Sequence, residues 1–208
     1  MKEFFVLLDL ACGKPLSVED GARAHRVKLM VTAILSALVF SMLWGAAAGC
    51  KDLAHKYPNL WMVPIMVLVS ALVATPAGLL AWKLSGADGR ATDLLLAFAV
   101  GIFGGTLVLG VLSPLVAIYY WSSAWAGPVL GQAATGFALL LGALLFTRAI
   151  GKKTDGAKRR SRAIAAAVLL TIQGATLLQL IGLSPAIFPE HTVFDRGIDH
   201  LTDARGTR

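Results

Sequence analysis

Charge is what this sequence has least of. Asp, Glu, Lys and Arg fill 15% of its 208 positions, against about a quarter in an ordinary soluble domain. Four stretches carry none of them at all: residues 29–50, 57–82, 94–147 and 163–189. A helix that crosses a bilayer needs about 20 consecutive, mostly apolar residues. Each stretch meets that length, and the third has room for two crossings and a turn. A soluble globular domain, a disordered chain and a coiled coil are therefore excluded. Strand-sized runs of alternating polarity are missing too, which excludes an outer-membrane barrel, whose strands run about 10 residues each.

Cysteine is nearly absent. Cys12 and Cys50 are the two present. Cys12 precedes the first apolar stretch and Cys50 ends it, so the two fall on opposite sides of a bilayer and form no disulfide framework. The four histidines, His25, His55, His191 and His200, all lie outside the apolar stretches. A haem held by two histidines between helices is not expected. No H-E-x-x-H, C-x-x-C, G-x-S-x-G or phosphate-cradling glycine loop is found, so the sequence predicts no metal site, no cofactor and no catalytic residues. His191 and His200 share an acidic tail with Glu190, Asp195, Asp199 and Asp203; it reads as a solvated segment. No Asp, Glu, Lys, Arg or His occupies the middle of any span. Such groups are the default site hypothesis in carriers and pumps, so their absence argues against ion-coupled transport.

What remains is an all-α polytopic integral membrane protein: a bundle of five transmembrane helices with a short N-terminal interfacial helix. Residues 1–26 form an N-terminal segment, 27–183 the membrane domain and 184–208 a polar tail. The spans are predicted at about 27–49, 61–82, 93–118, 125–147 and 163–183. Residues 119–125 are uncharged and hold four aromatics, which reads as a tight hairpin at headgroup level. Met1–Cys12 imitates a lipoprotein signal, but Asp9 cuts its apolar core to Phe4–Leu8, below the 7–15 residues or so of a true signal. The segment reads instead as a helix in the membrane interface, with Phe4, Phe5, Leu7 and Leu8 dipping in. Ser17 is a candidate N-cap for a polar helix leading into the first span.

Lys and Arg are unevenly shared between the two sides. Lys2, Lys14, Arg23, Arg26, Lys28, Lys83, Arg90 and the seven cations of residues 148–162 fall on the N-terminal side. Lys51, Lys56, Arg196, Arg205 and Arg208 fall on the other. By the positive-inside rule the N-terminus is cytoplasmic and the C-terminus outside.

Inside the spans the distinctive residues are small or uncharged polar. Gly45 and Gly49, Gly101 and Gly105, and Gly127 and Gly131 are each spaced i, i+4, which puts both glycines on one helix face for close approach of another backbone. That spacing favours internal packing, with oligomerisation as the alternative. Gln132, Gln173, Gln179 and Thr75 are the intramembrane polar set. They are expected to form bonds between helices, or else to line a path. Pro76 and Pro114 are expected to kink their helices. Arg148, Lys152, Lys153, Lys158, Arg159, Arg160 and Arg162 form a basic fourth loop, opposed only by Asp155. Such a loop attracts the anionic leaflet and offers a contact for an acidic protein partner. Nucleic acid is not expected, because no aromatic interleaves the run.

Lys56-Tyr57-Pro58, Thr75-Pro76, Leu112-Ser113-Pro114 and Gln173-Gly174 give the layout a resemblance to the Yip family of five-span membrane proteins. It is similar, more narrowly, to a loosely defined bacterial group of small multi-pass proteins. The resemblance implies a cytoplasmic N-terminus, a compact five-helix region and, for the bacterial group, the inner membrane. It brings no catalytic residues. Members of that group are sometimes described as actin-binding, after a motif with a Lys-Lys-Thr core that Gly151-Lys152-Lys153-Thr154 imitates. Span four stands where that motif needs a soluble amphipathic helix, so the match reads as chance.

These features favour a non-enzymatic membrane scaffold or anchor that recruits a partner through its spans and basic loop. The alternative is a small permease or channel with a path lined by Gln and Thr. A membrane-embedded enzyme comes last, because the spans hold no acid, base or nucleophile.

Overall fold

The computed structural model describes residues 2–14, 23–50, 53–87, 90–123, 126–151 and 156–187. Among them every regular element is a helix: α1 (Lys2–Ala11), α2 (Arg23–Ala48), α3 (Leu53–Leu84), α4 (Ala91–Ser122), α5 (Ala126–Gly151) and α6 (Gly156–Ile187). α2 to α6 are the five helices long and apolar enough to cross a membrane. The chain is an all-helical, multi-pass integral membrane protein. Intrahelical bonding is the physical reason, because a helix satisfies every backbone polar group where no water can.

All five spanning helices reach beyond the expected spans, and in three of them the difference changes how a segment reads. α3 begins at Leu53 rather than near 61, and runs through Pro58, Pro64 and Pro76. α4 continues to Ser122 through Pro114, so Tyr119–Ser122 belong to the helix and the hairpin is narrower than predicted. α6 begins at Gly156, which places Lys158, Arg159, Arg160 and Arg162 on its first two turns instead of in a loop. Lys, Arg and Ala are good helix formers, and nothing in 156–163 breaks a helix. At 1.5 Å per residue a 32-residue helix such as α6 is about 48 Å long, against a hydrocarbon core of about 30 Å. Its first turns therefore stand clear of the apolar layer. The Ser17 cap, Lys152, Lys153 and the tail from 188 onward, with His191 and His200, lie outside the described residues.

The helices alternate in direction. α4 is the central element, packed closely on α2 and on α5; α3 packs on α2 and on α6, while α5 and α6 meet only lightly. At one end Arg26 of α2 pairs with Asp93 of α4. At the other, the Cys50 thiol donates to the Ala117 carbonyl, with Sγ 3.6 Å from the oxygen. Cys12 is exposed, Cys50 half-buried, and both are free.

α1 is present as expected, and Phe4, Leu7 and Leu8, three of the four apolar side chains expected to dip into the interface, meet protein instead. Leu7 is fully buried with Leu29 and Ala33 of α2 and Leu96, Ala99, Val100 and Phe103 of α4. The Phe4 ring stands edge-on to Phe103 at 5.5 Å and tilted against Phe40 at 6.5 Å. Phe5 faces outward, 63% exposed. The N-terminal helix thus covers the α2–α4 seam rather than only resting in the interface.

Candidate functional site

Two regions could carry function: the basic end of the bundle and the interior between α3, α4, α5 and α6.

The basic end gathers the start of α2, the end of α3, the start of α4, the end of α5 and the start of α6. Arg148 and Arg160 are exposed there. Arg162 is engaged: its guanidinium lies 5.7 Å from the centroid of the Trp82 ring and donates to the Ile150 carbonyl at 3.5 Å. It ties α6 to the last turns of α3 and α5, so it is a packing residue as well as a member of the basic set. Arg26 is the second engaged cation, held by Asp93. Lys14 donates to Asp9 at 2.8 Å, and this bond holds its ammonium above the ordinary lysine range. Lys158 and Arg159 lie on the first turn of α6. Cations at a helix N-terminus oppose its macrodipole, which favours anions there instead. An acidic surface at this end relieves both that conflict and the mutual repulsion of the cations.

The glycines sort by neighbour. A Cβ on Gly101 would sit 2.8 Å from the Gly142 carbonyl oxygen, and one on Gly105 would sit 2.9 Å from that of Ala138. Both face α5, whose Gly142 completes the close contact. A Cβ on Gly45 would lie 2.1 Å from the Asn59 carbonyl oxygen, so α2 and α3 touch backbone to backbone there. Gly49 is buried near the same end. Gly127 and Gly131 pack on Tyr120, at the turn from α4 into α5 rather than on a distant helix. All six are engaged within one chain.

The intramembrane polar set does not converge. Gln132 and Gln179 are exposed on the outside of the bundle, where they make no bond between helices among the described residues. The Thr75 hydroxyl donates to the Ala71 carbonyl of its own helix at 2.7 Å. Only Gln173 faces the interior, where it lines a cavity of about 360 Å³ between α2, α3, α4, α5 and α6. The expected interhelical bonds are thus replaced by back-bonding within a helix for Thr75 and by outward placement for two of the glutamines. The helical register explains this, since one rotation about the axis serves all residues of a span and α5 is oriented by Gly142 and Phe146.

Asn59 escaped the sequence reading. It is fully buried at the start of the second apolar stretch, and neither side-chain polar atom has a partner among the described residues. It sits just before the predicted start of span two, and its being the one carboxamide in the uncharged run 57–82 is the signal that could have found it. Among the described residues no group of three His, Cys, Asp or Glu side chains comes together.

Compared with protein-family models, with curated proteins and with solved structures, the chain matches none.

Proposed function

We propose that the protein is a non-enzymatic membrane scaffold or anchor, seated in the inner membrane of a bacterium with its N-terminus in the cytoplasm. It holds an acidic cytoplasmic partner, and the anionic leaflet beside it, on the basic end of the bundle. The observation that carries the reading is the segregation of charge. Arg26, Lys28, Lys83, Arg90, Arg148, Arg160 and Arg162 all stand at one end of the described helices, and no ionisable side chain lines the interior cavity. A basic surface over a packed apolar body suits holding a partner better than turning over a substrate. The permease alternative needs Thr75, Gln132, Gln173 and Gln179 on one path, and two of these face outward.

The test is capture of cytoplasmic proteins and of anionic vesicles across a salt series. Screening shortens from about 10 Å at 0.1 M to about 3 Å at 1 M, so binding should fall steeply with salt. Changing Lys158, Arg159 and Arg160 to Gln should weaken it further, with Arg162 left in place because it braces Trp82. Retention of the partner by the triple variant at every salt concentration overturns the reading. Orientation is tested separately in a variant lacking Cys12 and Cys50: an impermeant thiol reagent should label Ser122→Cys in intact cells and spare Thr154→Cys.

A further inference from the structure

The interior cavity has a chemistry of its own. Along α4 it reaches from Phe98 to Leu109, about 16 Å at 1.5 Å per residue. It lies at hydrocarbon depth: Gln173 is eleven positions along α6 from Arg162, again about 16 Å into the span. Its volume of about 360 Å³ falls within the range of small-molecule sites, about 300–1,000 Å³. The side chains on its wall that carry a polar atom are Trp44, Thr106, Thr135 and Gln173. Thr106 gives its hydroxyl proton to its own helix at Ile102 O, 2.8 Å away, and Thr135 does the same at Gly131 O, 2.9 Å away. Of the hydroxyl and amide groups on the wall, the Gln173 amide is the one left over.

Each common filler but one fails on this geometry. Water needs two to four polar partners, roughly; both threonine hydroxyls already give their protons to their own helices, which leaves the Gln173 amide and the Trp44 indole edge as donors, too few to fill the cavity with water. A charged headgroup needs a counter-charge, and no Asp, Glu, Lys, Arg or His lines the wall. A spanning helix needs a groove along the full hydrocarbon thickness of about 30 Å, and along α4 the cavity covers only Phe98 to Leu109, about 16 Å. A hydrocarbon tail fits, and the amide calls for a hydrogen-bonding group on it, because an unpaired amide in an apolar medium is costly.

We propose that this cavity binds a neutral lipid made of a long hydrocarbon tail and an uncharged carbonyl, with the Gln173 amide N–H donating to that carbonyl. A prenylated quinone and a long-chain ketone share this chemistry. Gly174 is where the cavity can be closed, since a Cβ there meets nothing within 4 Å. Gly136 on α5 is the matching control: it also meets nothing within 4 Å, but is exposed and outside the cavity wall.

The experiment uses the purified full chain in nanodiscs with three probes bearing the same photoactivatable tail: a benzoquinone, a ketone and the plain hydrocarbon. The two carbonyl probes should label peptides of α4, α5 and α6 saturably, and unlabelled probe should compete. Gly174→Leu should lower that labelling at least tenfold and Gly136→Leu should leave it unchanged. Gln173→Leu, which places an apolar side chain on an apolar wall, should lower carbonyl-probe labelling about tenfold, to the plain-hydrocarbon level. Labelling by the quinone but not the ketone, or the reverse, identifies which source of carbonyl the site takes. The proposal is overturned if labelling does not saturate, if the two leucine variants behave alike, or if the plain hydrocarbon labels as well as the carbonyl probes. If Gly174→Leu does not fold, Gln173→Leu decides alone on the carbonyl-to-hydrocarbon ratio.

Discussion

α4 and α6 are both 32 residues long and both apolar enough to span, yet the bundle uses them in opposite ways. In the most apolar stretch of α4, 61% of residues are buried; in that of α6, 17% are. Hydropathy separates the two stretches only slightly, with α4 the more apolar. The placement of small residues separates them clearly. α4 sets Gly101 and Gly105 one turn apart, and α5 presents Gly142 to them, so two backbones come within contact of each other. In lipid, where hydrocarbon outside is as apolar as leucine inside, association rests on such packing rather than on hydrophobicity. α6 has a single glycine at mid-span, Gly174, and no second glycine a turn away. It makes its main contact with α3, where Gly78 accepts the Leu169 side chain. The result is a tight seam on one side of α4 and an open interior beside α6.

The comparison breaks most directly at the seam. Gly101→Leu or Gly105→Leu should destabilise the bundle by about 3 kcal/mol, the upper part of the usual range for overpacking. The high value is expected because the nearest atoms are backbone carbonyls, which cannot rotate away. Gly136→Leu should change stability by less than about 0.5 kcal/mol, as surface substitutions generally do. Reversible unfolding in mixed detergent micelles measures both. Equal effects at Gly105 and Gly136 would show that glycine spacing says nothing about packing here.

The same pair of helices shows how far the sequence could be read. The five spans were legible because uncharged length is a one-dimensional property. The faces of Gly101 and Gly105 were legible because two residues four apart fix a direction on a helix. A lone polar residue fixes none. Gln132, Gln173 and Gln179 look alike in sequence, and only the rotation of α5 and α6 about their axes sends one inward and two out. Basic residues posed a related difficulty. Arg162 belongs by position to a run of solvated cations, but Trp82, eighty positions away, gives it a partner that only tertiary structure supplies. The start of α6 at Gly156 was hidden by the convention that a charge run between spans is a loop.

Arg162 is also where α6 is fastened, and the second prediction loosens it. A cation over an indole ring contributes about 0.5–2 kcal/mol, more when desolvated. Trp82 is buried and Arg162 half-buried, so Arg162→Gln should cost about 1 kcal/mol in the same unfolding assay. Arg160→Gln, at an exposed neighbour, should cost nothing measurable while weakening capture of acidic partners. Opposite outcomes at two arginines two residues apart would separate packing from docking within one basic cluster. An equal loss of stability at both would remove the distinction.

The corresponding fastening of α4 is the Arg26–Asp93 pair. Asp93 is half exposed, so solvent screens the attraction, and pairs of this kind contribute about 0.2–1 kcal/mol. A double-mutant cycle of Arg26→Gln and Asp93→Asn should return a coupling in that range that shrinks as salt rises. A coupling larger than that of Arg162 with Trp82 would mean that α4 is held at its end as much as along its length.

The smallest effect is expected where α1 covers α4. Glu3 is held below its ordinary value of 4.5 by a hydrogen bond from its own backbone N–H, with Lys28 and His25 adding attraction. A carboxylate with a lowered folded-state value stabilises the docked state above its unfolded value, and that contribution disappears as pH falls through the lowered one. Docking of α1 should therefore be independent of Glu3 ionisation near neutrality, apart from a constant contribution, and should weaken below about pH 4.5. Hydrogen exchange at the amides of α1 reports this locally: protection should drop on acidification in the native protein and drop less in Glu3→Gln, which has no charge to lose. The change stays small because Leu7 and Phe4, which carry no charge, hold the helix against α2 and α4 at every pH. An acid-induced loss of α1 protection identical in the two proteins would show that the Glu3 charge does not help to hold α1 in place.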